Sequence, residues 1–200
     1  MKYISIFFSA LLMGLSQQPI GCGWFAWIAL LPLIFFLDKK NLLKEKIYIA
    51  VLWGFIYHFS VIYWLFFNIG TTKILGFVSL VLATLILTVN TILIIFLYHA
   101  LSKKQLNKTY YYLPVIWVSV EYLRTFSILG FPWVSLANSQ VHYNLLAQNV
   151  EFTGIYGISF WVVLINVILY DFYKYKNNKI LIGLFLTLLF PWLSGYYLYN

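Results

Sequence analysis

Two hundred residues that are 63% hydrophobic and 9% charged, with a mean hydropathy of +0.87, cannot cover a water-facing surface, because soluble domains carry about 25% charged residues. At about 20 residues per crossing the chain accommodates roughly seven membrane helices and no soluble catalytic domain beside them, which excludes most cytosolic enzyme classes. The net charge of +8 reads as loop charge rather than a nucleic-acid surface, and a single cysteine excludes an internal disulfide or a cysteine metal cluster.

In chain order the apolar runs are Tyr3–Ser16, Gly21–Leu37, Ile47–Phe67, Ile74–Leu101, Tyr110–Leu129, Gly154–Tyr173 and Ile180–Leu198. The third to the seventh are long enough to cross a hydrocarbon layer of about 30 Å. The first two are short and are separated by Ser16-Gln17-Gln18-Pro19; they read as two short crossings rather than a re-entrant hairpin. The expected fold is therefore all-α: a polytopic helical membrane bundle of about seven helices, with residues 1–200 forming one transmembrane domain.

The cations divide unevenly between alternate connections. Lys2, then Lys39, Lys40, Lys44 and Lys46, then Lys103, Lys104 and Lys108, and finally Lys174, Lys176 and Lys179 fall on one side; Lys73 alone lies on the other, and Arg124 sits inside the fifth run. The positive-inside rule then places the N-terminus in the cytoplasm and the C-terminus outside.

One connection is unusual. Residues 130–153 carry no Lys or Arg and mix Phe131, Trp133, Leu136, Leu145 and Leu146 with Asn138, Gln140, His142, Asn144, Gln148 and Asn149. That mixture fits an outer segment lying in the membrane interface, helical from about Asn144.

Several motifs are decoys. Lys2, an apolar stretch and Ile20-Gly21-Cys22 imitate a lipoprotein signal, but Pro19 stands where such signals need an aliphatic residue and another apolar run follows at once. Cys22 has no cation or base beside it in sequence to activate the thiol. His58, His99 and His142 have no metal-ligand spacing, and His58, mid-run, reads as a packed, hydrogen-bonded histidine. Neither a metal nor a cofactor is expected.

Glu121 and Arg124 are three residues apart in the fifth run and can share a helix face and pair. Intramembrane charges cost several kcal/mol unless paired or hydrated, so these two are candidate functional groups, with a structural ion pair as the competing reading. Arg124 also lies close enough to the outer loop to meet a lipid phosphate.

The series Trp117-Val118-Ser119-Val120-Glu121-Tyr122-Leu123-Arg124, Gly130-Phe131-Pro132-Trp133, Gln140 and Gly154-Ile155-Tyr156-Gly157-Ile158-Ser159 resembles the membrane part of bacterial apolipoprotein N-acyltransferases, which carry similar W-x-x-x-E-x-x-R, GFPW and G-x-x-G-[IL]-S signatures. The break at Pro19–Gly23, Trp24 with Leu31-Pro32-Leu33, and Gly54 before Tyr63-Trp64 are weaker likenesses. The resemblance implies an inner-membrane enzyme that takes an acyl chain from a phospholipid, holds it as a cysteine thioester and transfers it to the α-amine of a diacylglyceryl-cysteine lipoprotein. In the family this chemistry belongs to a nitrilase-like domain with a Glu-Lys-Cys triad, none of whose positions has a counterpart here. The chain is therefore expected to be a fragment, a truncated product or half of a split enzyme, inactive alone. It would contain no catalytic residue and would work with a separate nitrilase-like chain. Glu121, Arg124, Trp133 and Gln140 are the residues expected nearest the lipid. The competing functions are a small transporter or channel subunit, for which Thr84, Thr88, Asn90 and Asn166 are the available polar residues, an intramembrane acyltransferase using His58 or His99, and the membrane anchor of a sugar-lipid transferase.

Overall fold

The computed structural model describes residues 2–39, 41–104, 107–126 and 131–199. Lys40, Leu129, Gly130 and Asn200, which figure in the sequence reading, lie outside them. The described residues form α-helices and short 3-10 turns, with no strand among them.

Among the described residues four helices are long and apolar enough to cross a membrane: α4 (Leu43–Ile62, extended by a 3-10 turn to Phe67), α5 (Lys73–Ser102), α8 (Val150–Tyr175) and α9 (Asn178–Tyr199). Shorter helices complete the bundle: α1 (Lys2–Leu15), the pair α2 (Ala26–Ala29) and α3 (Leu31–Leu37), α6 (Leu113–Thr125) and α7 (Asn144–Gln148). Among the described residues the fifth apolar run is α-helical over Leu113–Thr125. It starts with a 3-10 turn at Thr109–Tyr112, and Pro114 stands in the first turn of α6, where a missing N–H costs nothing.

Both short N-terminal runs connect the two ends of the bundle. At one end the Lys2 ammonium lies 4.4 Å from the Phe36 ring. At the other, Gln17 donates its amide to the Ser135 carbonyl over 3.1 Å, and Gln140 donates to the Gly23 carbonyl over 3.0 Å. The lysine-bearing connections meet at the first of these ends, where Lys174 pairs with Asp38 at 2.5 Å and Lys108 with Asp171 at 2.9 Å. Asp171 also accepts from Tyr110 and Tyr111, and Asp38 from Tyr170.

With little water available inside such a bundle, every break in a helix needs a replacement partner. Between α2 and α3 the Leu30 N–H has no standard i−4 bond to Ala26. The Asn166 amide inserts there instead, accepting from the Leu30 N–H at 3.0 Å and donating to the Ala26 carbonyl at 2.8 Å. In α9, Pro191 has no N–H for the Thr187 carbonyl, four residues back. The Trp161 indole of α8 donates to that carbonyl at 2.6 Å. Both repairs also fasten one helix to another.

Two glycines are required by geometry. Gly154 (φ 62°, ψ −179°) breaks α8 near its start, a conformation in which an L side chain is strained. Gly195 lets α9 cross α7, since a Cβ there would sit 1.7 Å from the Leu145 carbonyl oxygen.

The core runs through Ile6, Met13, Leu30, Leu33, Trp53, Leu87, Tyr98, Trp117 and Val162, all buried. Large apolar side chains such as Phe77, Leu82, Ile182, Phe185 and Phe190 are exposed on the outside of α5 and α9. An outward apolar surface of that extent suits lipid, not water. The molecule is a helical membrane bundle.

Candidate functional site

Glu121 and Arg124 both project from one face of α6 toward the segment 133–137, and both are buried, at 4% and 9% exposure. The ion pair their spacing allows does not form: among the described residues no salt bridge joins them. Each has another partner. One Glu121 oxygen accepts from the Leu136 N–H at 2.9 Å and the Trp117 indole at 3.3 Å, and the other accepts from the Ser135 hydroxyl at 3.0 Å. Because Ser135 donates to the carboxylate, its oxygen is left to accept from the Ser159 hydroxyl of α8, 2.9 Å away. The Ser159 oxygen in turn accepts the Ala137 N–H at 3.0 Å. The result is a relay from α8 through the loop to α6 in which each proton has one direction. A buried carboxylate holds the loop by charge-assisted bonds, roughly twice as strong as neutral ones.

Arg124 donates one terminal N–H to the Val134 carbonyl at 3.3 Å. Its Nε is buried without a partner among the described residues. The guanidinium has five N–H donors, and Arg124 lines a small cavity of about 20 Å³ with Tyr57, His58, Asn90, Trp117 and Glu121. That volume holds one water molecule. It does not hold a phosphate group.

His58 is buried, and its Nδ1 lies 2.7 Å from the Gly54 carbonyl, so it is a packed, hydrogen-bonded residue, and it also forms part of the cavity wall. Trp133 stands apart from the cavity. It is 63% exposed, with its ring 5.1 Å from Phe131 and 6.1 Å from Trp64. Gln140 is buried and fully engaged, accepting from the Trp27 indole at 3.0 Å while donating to Gly23 and Ser139. It fastens the loop to the turn after α1. The structure thus brings Glu121 and Arg124 to one cavity and leaves Trp133 and Gln140 at other points of the same loop. Burial raises the nearby Tyr143 phenol above its ordinary value, with Cys22 adding to the effect and a hydrogen bond to the Trp24 backbone opposing it.

Ser135 and Tyr57 carried no signal in the sequence, and Ser159 appeared only as the last letter of a motif. A buried Glu implies donors, but it does not name them. The polar residues that a transporter would need are otherwise occupied: Thr84 and Thr88 bond carbonyls of their own helix, and Asn166 repairs the α2–α3 break. Among the described residues no group of three His, Cys, Asp or Glu is placed to hold a metal ion.

Comparison with known proteins identifies the family. The family model described as the apolipoprotein N-acyltransferase N-terminal domain matches residues 9–168, more than half of the chain. The apolipoprotein N-acyltransferase of Geobacter metallireducens is 30% identical over 84% of this chain and 33% of its own length. Those of Pasteurella multocida and Thermotoga maritima are 26% and 28% identical over 97% and 98% of this chain, and over 38% and 40% of their own lengths. The chain spans between a third and two-fifths of these relatives. It is a multi-pass membrane protein that belongs to the apolipoprotein N-acyltransferase family, matching that family's N-terminal domain.

Proposed function

We propose that these 200 residues are the membrane-embedded part of a bacterial inner-membrane apolipoprotein N-acyltransferase. They anchor the enzyme, admit the phospholipid acyl donor and hold the diacylglyceryl-cysteine end of the lipoprotein acceptor near the outer loop. A nitrilase-like domain, on the same polypeptide or on a separate chain, performs the chemistry. There a thiolate takes the acyl group from the phospholipid ester and releases a lysophospholipid; the lipoprotein amine then attacks the thioester, the amide forms and the thiol is regenerated.

One observation carries the reading: a loop with an exposed tryptophan is pinned over a buried arginine whose Nε has no partner among the described residues. Glu121 and Ser159 hold the loop, Gln140 fastens its far end, Trp133 gives an acyl chain an apolar wall, and Arg124 favours a headgroup phosphate. Because the cavity takes only one water, the phosphate reaches Arg124 through that water or after the loop lifts.

The test is acylation of a diacylglyceryl peptide in phospholipid. The purified 200-residue chain is expected to give no product alone and to give N-acyl peptide when a nitrilase-like catalytic half is co-expressed. Product from the chain alone that disappears in Cys22→Ala would overturn the division of labour.

A further inference from the structure

The lysine-rich end of the bundle holds a second cavity, of about 590 Å³, between the start of α4 and the end of α5. Its wall carries Lys39, Lys46, Lys103 and His99 against a single acid, Asp38. Asp38 is already bound at 2.5 Å by both the Lys174 ammonium and the Tyr170 hydroxyl, so the remaining charge of the wall is positive.

Lys46 decides the matter. Lys39 and Lys103 are exposed and alone would be ordinary solvated cations, but Lys46 is 3% exposed. No carboxylate among the described residues lies within 4.0 Å of it. Its ammonium has the Tyr98 ring on one side, 5.6 Å to the centroid, a contact that stabilises a cation without neutralising it. Two further polar features border the same space. The Nδ1 of His99 is buried without a partner among the described residues, and α4 begins at Leu43 with no side-chain cap, leaving first-turn N–H groups and the positive end of the helix dipole. At the end of α5 the His99 carbonyl accepts from the Lys103 N–H and the Ser102 hydroxyl, and the Leu101 carbonyl accepts from the Lys104 N–H.

The same mouth is apolar on its outer side, where Leu42 is 73% exposed. Cations and an exposed leucine at one mouth match the boundary between lipid headgroups and acyl chains, and basic pockets between membrane helices bind anionic headgroups. We propose that this cavity binds the phosphate of an anionic phospholipid, with Lys46 and Lys103 as its principal contacts. This site lies at the opposite end of the bundle from Arg124 and does not depend on the acyl-transfer reading.

Native mass spectrometry of the full chain in detergent, titrated with phosphatidylglycerol, phosphatidylcholine or inorganic phosphate, tests it. Phosphatidylglycerol is expected to remain bound where phosphatidylcholine does not. Lys46→Gln and Lys103→Gln should each weaken it about fivefold, the effect of one surface lysine on anionic lipid, whereas Lys73→Gln, at the other end, should leave it unchanged. If Lys46→Gln fails to fold, the exposed double variant Lys39→Gln/Lys103→Gln carries the same expectation. Equal retention of both lipids, or undiminished retention by the folded lysine variants, would overturn the proposal. Inorganic phosphate binding the lipid-free chain as tightly as the lipid does would overturn it in favour of a soluble anion.

Discussion

The two ends of the bundle handle charge in opposite ways. At the lysine-rich end, carboxylates meet cations directly: Asp171 takes Lys108, and Asp38 takes Lys174, with tyrosine hydroxyls filling the remaining acceptor sites. At the loop end, Glu121 and Arg124 stand on one helix face and do not pair. Glu121 is satisfied by neutral donors from the loop, and Arg124 by a carbonyl and a small cavity. Each paired carboxylate is shared between its lysine and one or two tyrosine hydroxyls. The unpaired arrangement uses the acid to fix the loop and leaves the base with unspent donors, which is what a lipid-facing site needs.

The largest expected effect concerns which side each end faces. A reporter active only outside the cytoplasm should give signal when fused after residue 200 and none when fused after Lys104. The reverse pattern would break the comparison at its root, because the lysine-rich end would then face outward.

Next comes Glu121→Ala, which strands the Leu136 N–H, the Ser135 hydroxyl and the Trp117 indole together. It should cost about 3 kcal/mol or more, seen as a sharp fall in monodisperse protein after extraction and in the denaturant midpoint of what remains. Ser159→Ala removes one acceptor from Ala137 and one donor from Ser135 and should cost about 1–2 kcal/mol in the same measurement. Lys108→Gln, at the other end, should have the smallest effect, about 1 kcal/mol, because Lys108 is 37% exposed, its pair is screened by solvent and Asp171 keeps its two tyrosine donors. Its cost should shrink with added salt while that of Ser159→Ala does not. Equal salt dependence at both sites would erase the distinction between them.

How much of this was legible in the sequence follows from what each residue type announces by itself. Apolar runs and lysine positions announce crossings and ends. Pro19 announces the break after the first run, while the breaks at Leu30 and Pro191 fall inside runs that read as continuous. The repairs of those breaks are not announced: nothing about Asn166 points to the Leu30–Ala26 gap, or about Trp161 to the Thr187 carbonyl, because the partners are far apart in the chain and one of them is backbone. The candidate site shows the same limit. The spacing of Glu121 and Arg124 correctly put them on one face, but proximity on a helix is only an opportunity to pair. The competing donors at Ser135 and Leu136 reach Glu121 because the loop folds back over α6, and a backbone N–H has no residue-type signature.

The claim that Arg124 is held in reserve for a lipid, rather than used to hold the fold, is tested most directly by Arg124→Gln. Its thermal midpoint should be measured alongside N-acylation of a diacylglyceryl peptide by the two co-expressed halves. Gln keeps a donor for the Val134 carbonyl, so the midpoint should stay close to that of the unaltered chain while acylation falls about tenfold, the loss of one charge-assisted phosphate contact. A normal midpoint with undiminished acylation, or a collapsed midpoint, would contradict it.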